Sequence, residues 1–470
     1  MKSNKGRSVT VGLVSLGCAK NRVDSEAMLG YLKRAGYRFT SDPSAADIII
    51  VNTCGFIGPA KEESIDTILE MVTYKERGRC RKLIVAGCLA QRYHQELVQN
   101  IPEIDVILGI NEVERIREAC ELDKVRGDYV SHTPPYWVYD RQVKRVLTTP
   151  RHYAYLKIAE GCNHTCTFCA IPMIRGRYRS RRIESIVDEA RELVEQGAQE
   201  LLIISQDTTY YGRDLGMKDG LYRLLDALHE LEGLRWIRFL YLYPDTMPSN
   251  FPEMMRSFPR LVPYLDLPLQ HSHPEILRAM RRRGSRERYR DLLLRYRSEI
   301  PDIVLRTTFI VGFPGEDERH FADLLQFLHE VEFDHVGVFV YSDEDGTPAE
   351  RLGSKVPARI AEARKHRLMM EQQLIVERRQ RARVGKVYEV IIDDEPKPGK
   401  GVRIYRGRFY GQAPEIDGVV WVKSRRSLSM GQWVRVKITE AELYDLKGWV
   451  DEHTMVSVED PKETASIDGR

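Results

Sequence analysis

Gly161-Cys162-Asn163-His164-Thr165-Cys166-Thr167-Phe168-Cys169 is the stretch on which the reading of this chain turns. Its cysteines are spaced C-x3-C-x2-C. Three thiolates on one short loop can hold three irons of a 4Fe–4S cube and leave the fourth iron open to a small molecule. Zinc competes for the same donors, and His164 lies inside the loop. Zinc sites, however, usually combine two C-x2-C pairs, and the chain has no second pair. Unligated core thiols are the third reading, although buried cysteines rarely cluster on one loop. The loop follows an apolar strand candidate, Tyr153–Ala159. Further candidates lie at Leu201–Ile204, Trp236–Tyr241, Tyr264–Leu267, Val304–Val311 and Val336–Tyr341, with helical patterns such as Arg182–Gln196 and His320–Glu330 between them. Six βα units predict a partial (β/α)6 barrel over residues 151–356, short of the eight units of a closed one.

Upstream, residues 8–125 also alternate. Val9–Ser15, Asp47–Val51 and Lys82–Ala86 are apolar runs. Helical spacing follows the first (Val23, Ala27, Met28, Tyr31, Leu32, Ala35) and the second (Ile65, Ile68, Leu69, Val72). This βαβαβ pattern predicts a mostly parallel α/β domain. No G-x-G-x-x-G follows the first strand, so a dinucleotide fold is unsupported. A cysteine follows each run within three residues: Cys18, Cys54 and Cys88. The carboxyl ends of neighbouring parallel strands lie roughly 5 Å apart along one sheet edge, so the three sulfurs can converge on a second cluster. Chance placement of small residues at strand ends is the competing reading. Cys80 reads as a loop thiol and Cys120 as a core thiol on a helix face.

Residues 126–150 carry paired prolines and mixed polarity and read as a linker. Residues 357–383 read as an exposed connector helix. From 384 to 450 the apolar period becomes two, in Val387–Ile392, Val419–Val422 and Trp433–Ile438, with turn residues Pro396–Gly399. This predicts a small antiparallel β-barrel of OB-like size. The tail 451–470 is polar and expected to be disordered.

Whole-chain composition closes off other classes. The 470 residues are 42% hydrophobic and 30% charged, as in globular proteins, and no apolar run approaches the ~18 residues of a membrane span. The first residues lack a secretory apolar core, so a cytoplasmic location is expected. Eight cysteines are too few for a disulfide scaffold. A net charge of +3 argues against a protein built chiefly as a phosphate binder. The C-terminal barrel, with twelve Lys/Arg against nine Asp/Glu, is also less basic than an RNA-binding module would normally be.

C-x3-C-x2-C after the first strand of a βα series, with an aromatic (Phe168) before the last cysteine, resembles the radical S-adenosylmethionine superfamily. There the open iron chelates the methionine moiety of S-adenosylmethionine, and an electron from the cluster releases a 5′-deoxyadenosyl radical. The resemblance implies a cofactor site among the polar segments at the strand ends: Gln206 and Asp207, Gln270 and His271, Ile310, Gly312 and Tyr341. Thr308–Glu316 matches the superfamily's G-x-I-x-G-x-x-E pattern only in part, because Thr308 replaces the first glycine and Glu316 falls one place late. Arg175, Arg179 and Arg181 are candidates to neutralise the methionine carboxylate; for each, a solvated charge is an equal reading.

With the three N-terminal cysteines and a C-terminal TRAM-like barrel, residues 8–450 resemble the methylthiotransferase family. Ser15-Leu16-Gly17-Cys18-Ala19-Lys20-Asn21, Leu267–His271, Gln206-Asp207-Thr208 and Ala413–Gly418 resemble its ribosomal-protein branch, Ala19 standing where proline is usual. The resemblance implies two 4Fe–4S clusters, on Cys162, Cys166 and Cys169 and on Cys18, Cys54 and Cys88, and no catalytic side chain beyond these ligands. It also implies methylthiolation of an aspartate β-carbon in small-subunit ribosomal protein S-twelve, free or in the subunit. An external electron donor and sulfur donor are implied, RNA contact is secondary, and a monomer is the default. Glu415, Asp417, Glu440, Glu442 and Asp445 are expected to form an acidic docking face on the C-terminal barrel, and truncation after Arg383 is expected to leave the rest folded. The alternatives are a tRNA adenosine methylthiotransferase and a non-catalytic zinc-containing ribosome-associated protein.

Overall fold

Short apolar runs ending in glycine or small polar residues favour strands whose carboxyl ends turn sharply into helices. The computed structural model of the chain describes residues 9–122, 127–130, 135–139, 144–394 and 401–451. Its first unit is a parallel sheet of Thr10–Ser15 (β1), Arg38–Thr40 (β2), Ile48–Thr53 (β3), Lys82–Gly87 (β4), Val106–Leu108 (β5) and Gly127–Tyr129 (β6), in the order β2-β1-β3-β4-β5-β6. Alternation along the central strands feeds two cores. Ile48, Ile50, Ile84 and Ala86 face one side with Ala27 and Met28, while Ile49, Val51, Leu83 and Val85 face the other with Ile68 and Met71. Burial on both faces explains why these strands read as continuous apolar runs. Ile65 and Leu69, read as marks of the helix Gly58–Arg77, lie on its exposed side.

The second unit holds six parallel strands, Tyr153–Lys157 (β7), Glu200–Ile204 (β10), Trp236–Phe239 (β11), Tyr264–Asp266 (β12), Val304–Val311 (β13) and His335–Val340 (β14). They run as two three-stranded sheets, β11-β10-β7 and β12-β13-β14, joined by one parallel bridge between Ile237 and Leu261. The incomplete six-unit barrel is therefore present. A short antiparallel pair, Ala159–Glu160 (β8) with Arg179–Ser180 (β9), frames the cysteine loop. Ala154, Leu156, Leu201, Ile203 and Phe239 pack outward under the helices; Tyr153, Tyr155, Leu202, Ile204 and Tyr264 belong to the opposite face. The helix Ala358–Arg381 packs along β14 and buries Leu368, Gln372, Ile375 and Val376, so only one side of the expected exposed connector is exposed.

The last unit is a closed barrel of Val387–Asp394 (β15), Arg403–Arg408 (β16), Val420–Ser424 (β17), Trp433–Ala441 (β18) and Leu446–Val450 (β19), in the order β15-β16-β17-β19-β18. The turn Pro396–Gly399 and the tail beyond residue 451 lie outside the described residues.

Two expectations change here. The stretch 126–150 joins the first two units, and several of its described residues are packed, while Tyr136, Lys144 and Thr148 are exposed. Trp137 and Tyr139 enter the first core, and buried Arg145 pairs with Glu26 and Glu189 at 2.6 Å each. The acidic docking face is also corrected. Glu415 stays partly exposed but is engaged at the contact between barrels: it pairs with Arg22 at 2.5 Å and accepts the Tyr153 and Tyr155 hydroxyls. Asp417 is buried and accepts the Tyr264 hydroxyl at 2.6 Å, beside Arg306 and His335. Arg408 pairs with Glu200 and Asp393, both on strands of the two different barrels. Asp445 accepts Val419 N–H and Trp421 Nε1–H, and Glu440 and Glu442 pair with Lys447. Glu200, Tyr264 and Val304 open β10, β12 and β13. The C-terminal barrel thus closes the amino-terminal ends of the larger barrel's strands. Unpaired carboxylates in a dry place are costly, and the buried ones here, Glu200, Asp393 and Asp417, each have a cation partner.

Candidate active site at the ends of two sheets

Strands β1, β3 and β4 are neighbours, so their carboxyl ends share one edge, and Cys18, Cys54 and Cys88 stand there. Gly17 holds φ +83°, and a Cβ on it would lie 2.9 Å from the Cys54 sulfur, so the close approach of the first two cysteine loops needs glycine. Asn21 ties the edge together. Its Nδ2 donates to the carbonyls of Leu16 (3.1 Å) and Thr53 (2.8 Å), and its Oδ1 lies 3.5 Å from the Cys88 sulfur. Burial pushes the Cys54 thiol up to about 12, with Cys88 and Cys18 adding to it. Burial also raises Cys88, against the pull of Arg175. Binding of a cationic cluster must displace these protons. Cys80 is buried in the turn before β4, at the far end of that strand, and Cys120 is buried on the helix Ile116–Glu121. Neither joins the edge.

The second triplet hangs between β8 and β9. Cys162 N–H donates to Gly176 O at 3.1 Å, and His164 N–H donates to the Cys162 sulfur at 3.4 Å. The His164 ring turns away from the sulfurs. Its Nε2 lies 2.6 Å from Asp207 Oδ2, and it stacks on Tyr243 with centroids 3.6 Å apart. Asp207 in turn accepts the N–H groups of Thr209 and Tyr210. Burial raises Cys162 to about 12 and raises Cys169 further. Arg282, buried and stacked on Tyr243, places Nη1 3.9 Å from the Cys166 sulfur.

These donors test the metal. A tetrahedral zinc with Zn–S of about 2.3 Å sets its sulfurs roughly 3.8 Å apart. The three sulfurs of neither triplet all lie within 4.8 Å of one another. With His164 held by Asp207, the loop offers three thiols and no fourth side-chain ligand of its own. That suits three corners of an iron–sulfur cube and not a closed zinc site.

Around this loop, Phe168, Ile310 and Tyr341 pack with Ile276, Met280, Phe313 and Ala349, an apolar seat drawn from four strand ends. Gln270 (φ +73°) bridges to β13: its N–H donates to Thr308 O, and its carbonyl accepts Ile310 N–H. His271 is fully buried, accepts His273 N–H on Nδ1, and holds Nε2 3.6 Å from Glu316 without a hydrogen bond. Glu316 accepts Gly312 N–H at 3.0 Å and pairs with Arg364. Gln206 donates to Glu160 Oε1 at 2.5 Å.

The arginines are placed differently from expectation. Arg175 is buried and bound to Asp24, Glu160, Asn21 and the Cys88 sulfur, so it faces the N-terminal triplet. Arg179 donates to the carbonyls of Arg175, Arg177 and Trp137. Arg181 pairs with Glu189 at 2.5 Å. Arg175 and Arg181 are thus committed to carboxylates of the chain, whereas Arg179 has only carbonyl partners and a buried Nε without one. The sequence reading missed the bridge that Arg175 belongs to. Asp24, Lys157 and Glu160 complete it, Lys157 pairing with both carboxylates. Burial alone would raise Glu160, but Arg175 and Lys157 outweigh it and hold the carboxyl far below its usual range. Asn21 and Glu160 lie three and two residues from cysteine ligand candidates, the one signal by which they were findable.

A partial parallel barrel carrying a three-thiol loop beyond its first strand defines a radical S-adenosylmethionine enzyme, which uses an iron–sulfur cluster and S-adenosylmethionine. Family models agree: "Radical SAM superfamily" matches residues 156–328, "Uncharacterized protein family UPF0004" residues 10–109 and "TRAM domain" residues 384–450. Among solved structures, the radical S-adenosylmethionine methyltransferase TsrM of Kitasatospora setae, with cobalamin and a 4Fe–4S cluster bound, aligns over 73% of this chain and 77% of its own, with TM-score 0.51 and 15% identity, a likeness of fold alone. The ribosomal protein uS12 methylthiotransferase RimO of Desulforamulus reducens is 48% identical over 93% of this chain and 99% of its own length. That of Heliobacterium modesticaldum is 47% identical over 94% and 95%. The chain belongs to the RimO family of ribosomal protein uS12 methylthiotransferases.

Proposed function

We infer that this chain inserts a methylthio group at the β-carbon of an aspartate in ribosomal protein uS12, using one S-adenosylmethionine as radical source and a second as methyl donor. The carrying observation is the meeting of the two triplets. Ala170, which follows Cys169, and Ile174 pack on Cys88, and Arg175 joins the two sheets' ends. Sulfur handled at one triplet and a radical formed at the other need only a short path between them.

A β-carbon hydrogen has no useful acidity, so a positioned base does not reach it at neutral pH. The iron–sulfur cluster and S-adenosylmethionine, when bound, supply the 5′-deoxyadenosyl radical that does. The chain's own residues bind and orient. In our reading Cys162, Cys166 and Cys169 hold the radical-forming cluster, and Cys18, Cys54 and Cys88 a second one. Phe168, Ile310, Tyr341 and the backbone at Gly312 seat the adenosyl group, with Gln270 and His271 at its polar edge. Gln206 and Asp207 act one step removed, by fixing Glu160 and His164. Arg175 and Arg181, paired with the chain's own carboxylates, leave the S-adenosylmethionine site, and Arg179 stays a candidate for the methionine carboxylate. The working division is 8–125 for the second cluster, 126–150 joining, 151–356 for the radical barrel, 357–383 connecting, 384–450 for the TRAM barrel and 451–470 as tail. A monomer served by an external reductant and sulfur donor, acting in the cytoplasm where uS12 is assembled, fits this scheme. No helix of the described residues is long and apolar enough to cross a membrane.

The test is anaerobic reconstitution with iron and sulfide, then reaction with S-adenosylmethionine, a reductant and either uS12 or unmodified tRNA. A methylthio group on a uS12 aspartate peptide, with unchanged tRNA, is expected. Modified adenosine and unmodified uS12 would overturn the substrate, and zinc without iron would overturn the enzyme.

A further inference from the structure

Arg175 lies six residues beyond Cys169, at the end of the helix Ile171–Arg175, yet its guanidinium reaches the other triplet. Nε and Nη2 each lie 3.3 Å from the Cys88 sulfur. Nη2 also donates to Asn21 Oδ1 at 2.6 Å, and Nη1 to Asp24 at 3.0 Å and Glu160 at 2.8 Å. The side chain is 2% exposed. A planar fork in a dry site keeps its direction, because each N–H is committed. Asp24 follows Cys18 by six residues and Glu160 precedes Cys162 by two, so the carboxylates that anchor this fork come from both cysteine segments.

We propose that Arg175 is a positioning residue that couples the two halves of the site: from the radical barrel it donates to the Cys88 thiolate and thereby sets the electron affinity of the group held by Cys18, Cys54 and Cys88. Hydrogen bonds to ligand sulfurs, and positive charge near them, stabilise the reduced and more negative state of an iron–sulfur group and so raise its potential. Asp24, Glu160 and Lys157 hold the fork in place. The same contact fixes how the N-terminal edge stands against the Cys162 loop. Loss of the fork therefore changes both a potential and the partition between productive transfer and wasted cleavage of S-adenosylmethionine.

This inference rests on the reading that Cys18, Cys54 and Cys88 hold a second cluster, and the experiment separates the two. The reconstituted full chain, Arg175→Lys and Arg175→Gln are compared for iron per chain, for midpoint potentials by EPR-monitored titration, and for methylthio product per 5′-deoxyadenosine. The same substitutions are repeated with Cys162, Cys166 and Cys169 replaced by Ala, which assigns the N-terminal signal. Expected are near-wild-type iron, a downward shift of the N-terminal midpoint that is larger for Gln than for Lys, and a product ratio lower by roughly 10-fold or more, the usual cost of losing a partner of a metal ligand. Deoxyadenosine formation itself persists. If Arg175→Gln does not fold, Arg175→Lys decides by the same shift, since Lys keeps the charge but not the fork. Full iron with an unmoved N-terminal midpoint and an unmoved product ratio overturns the role of Arg175. Absence of iron from the background lacking the Cys162 triplet, with Arg175 intact, overturns the second cluster itself.

Discussion

Cysteine is a weak acid in ordinary surroundings, and burial makes each buried candidate ligand weaker still. Geometry must therefore compensate, and small residues beside the sulfurs supply it. Gly17→Ala adds a Cβ at a φ of +83° and 2.9 Å from the Cys54 sulfur, with no soft side chain to yield. This variant is expected to lose about half of its iron, as one of two cubes, while still forming 5′-deoxyadenosine; iron assay and product chromatography check both. Cys120 offers the contrast. Its thiol, also raised to about 12 by burial, touches no other cysteine. Cys120→Ala should keep all its iron and cost on the order of 1 kcal/mol in chemical denaturation. Cys80→Ser should likewise keep its iron. At this scale the sequence was most legible, because ligand chemistry needs particular atoms at particular spacings. The arginines were less legible: a guanidinium spans several ångströms, and Arg175 uses that reach to leave the loop that carries it.

Among elements, the loop between β16 and β17 has the largest effect on how the chain is understood. Strand period, turn residues and a change of period at 384 made the small barrel readable, and the six strands of the larger barrel were readable as apolar runs between helices. What these local patterns do not carry is docking. Glu415 and Asp417 look like free surface charge along the chain; Glu415 is taken up at the contact by Arg22 and Tyr155, and Asp417 is buried beside Arg306 and Tyr264, all residues 100 or more positions away. Two outcomes follow. Truncation after Arg383 uncovers Tyr153, Tyr155 and Tyr264 and leaves Glu200 with one buried cation fewer, so the remaining piece should be insoluble or markedly less stable, as expression yield and thermal melting will register. Acid should loosen the same contact. Burial pushes the carboxyls of Glu200, Asp393 and Asp417 up, but Arg408 with Arg238, Arg408 with His152, and His335 with Arg306 respectively outweigh it and hold all three below their usual range. Unfolded carboxyls titrate near about 4. Their contribution is therefore complete above roughly pH 5 and is lost as the pH falls through 4 toward the depressed folded values. Melting temperatures from pH 7 down to 3 should fall with that sign. Arg408→Gln, by taking from buried Glu200 and Asp393 the cation they share and leaving them Arg238 and His152 alone, should cost roughly 3–5 kcal/mol already at neutral pH.

For the whole molecule, the two cysteine triplets are brought together where two sheets meet, through Arg175, Ala170 and Ile174 against Cys88. The complete chain is expected to bind about eight irons, in two cubes. Replacing Cys162, Cys166 and Cys169 by Ala should halve the iron and abolish cleavage of S-adenosylmethionine. Replacing Cys18, Cys54 and Cys88 should halve the iron and keep cleavage, now without methylthio product on uS12. Retention of all iron by either triple variant would require a different ligand set. The pairing of Arg22 with Glu415 also bears on how the protein is made. These partners are 393 positions apart. At a synthesis rate of about 5–20 residues per second, roughly 20–80 s separate the emergence of the first from that of the second. Throughout that interval the helix Ala19–Arg34 and the inner face of the growing barrel wait for a lid that the ribosome has yet to deliver. Contacts of such sequence separation form late and slowly. The last module to leave the ribosome finishes the first one, and a ribosome stalled before the final barrel is made holds a chain with every cysteine already synthesised and its larger barrel still open at one end.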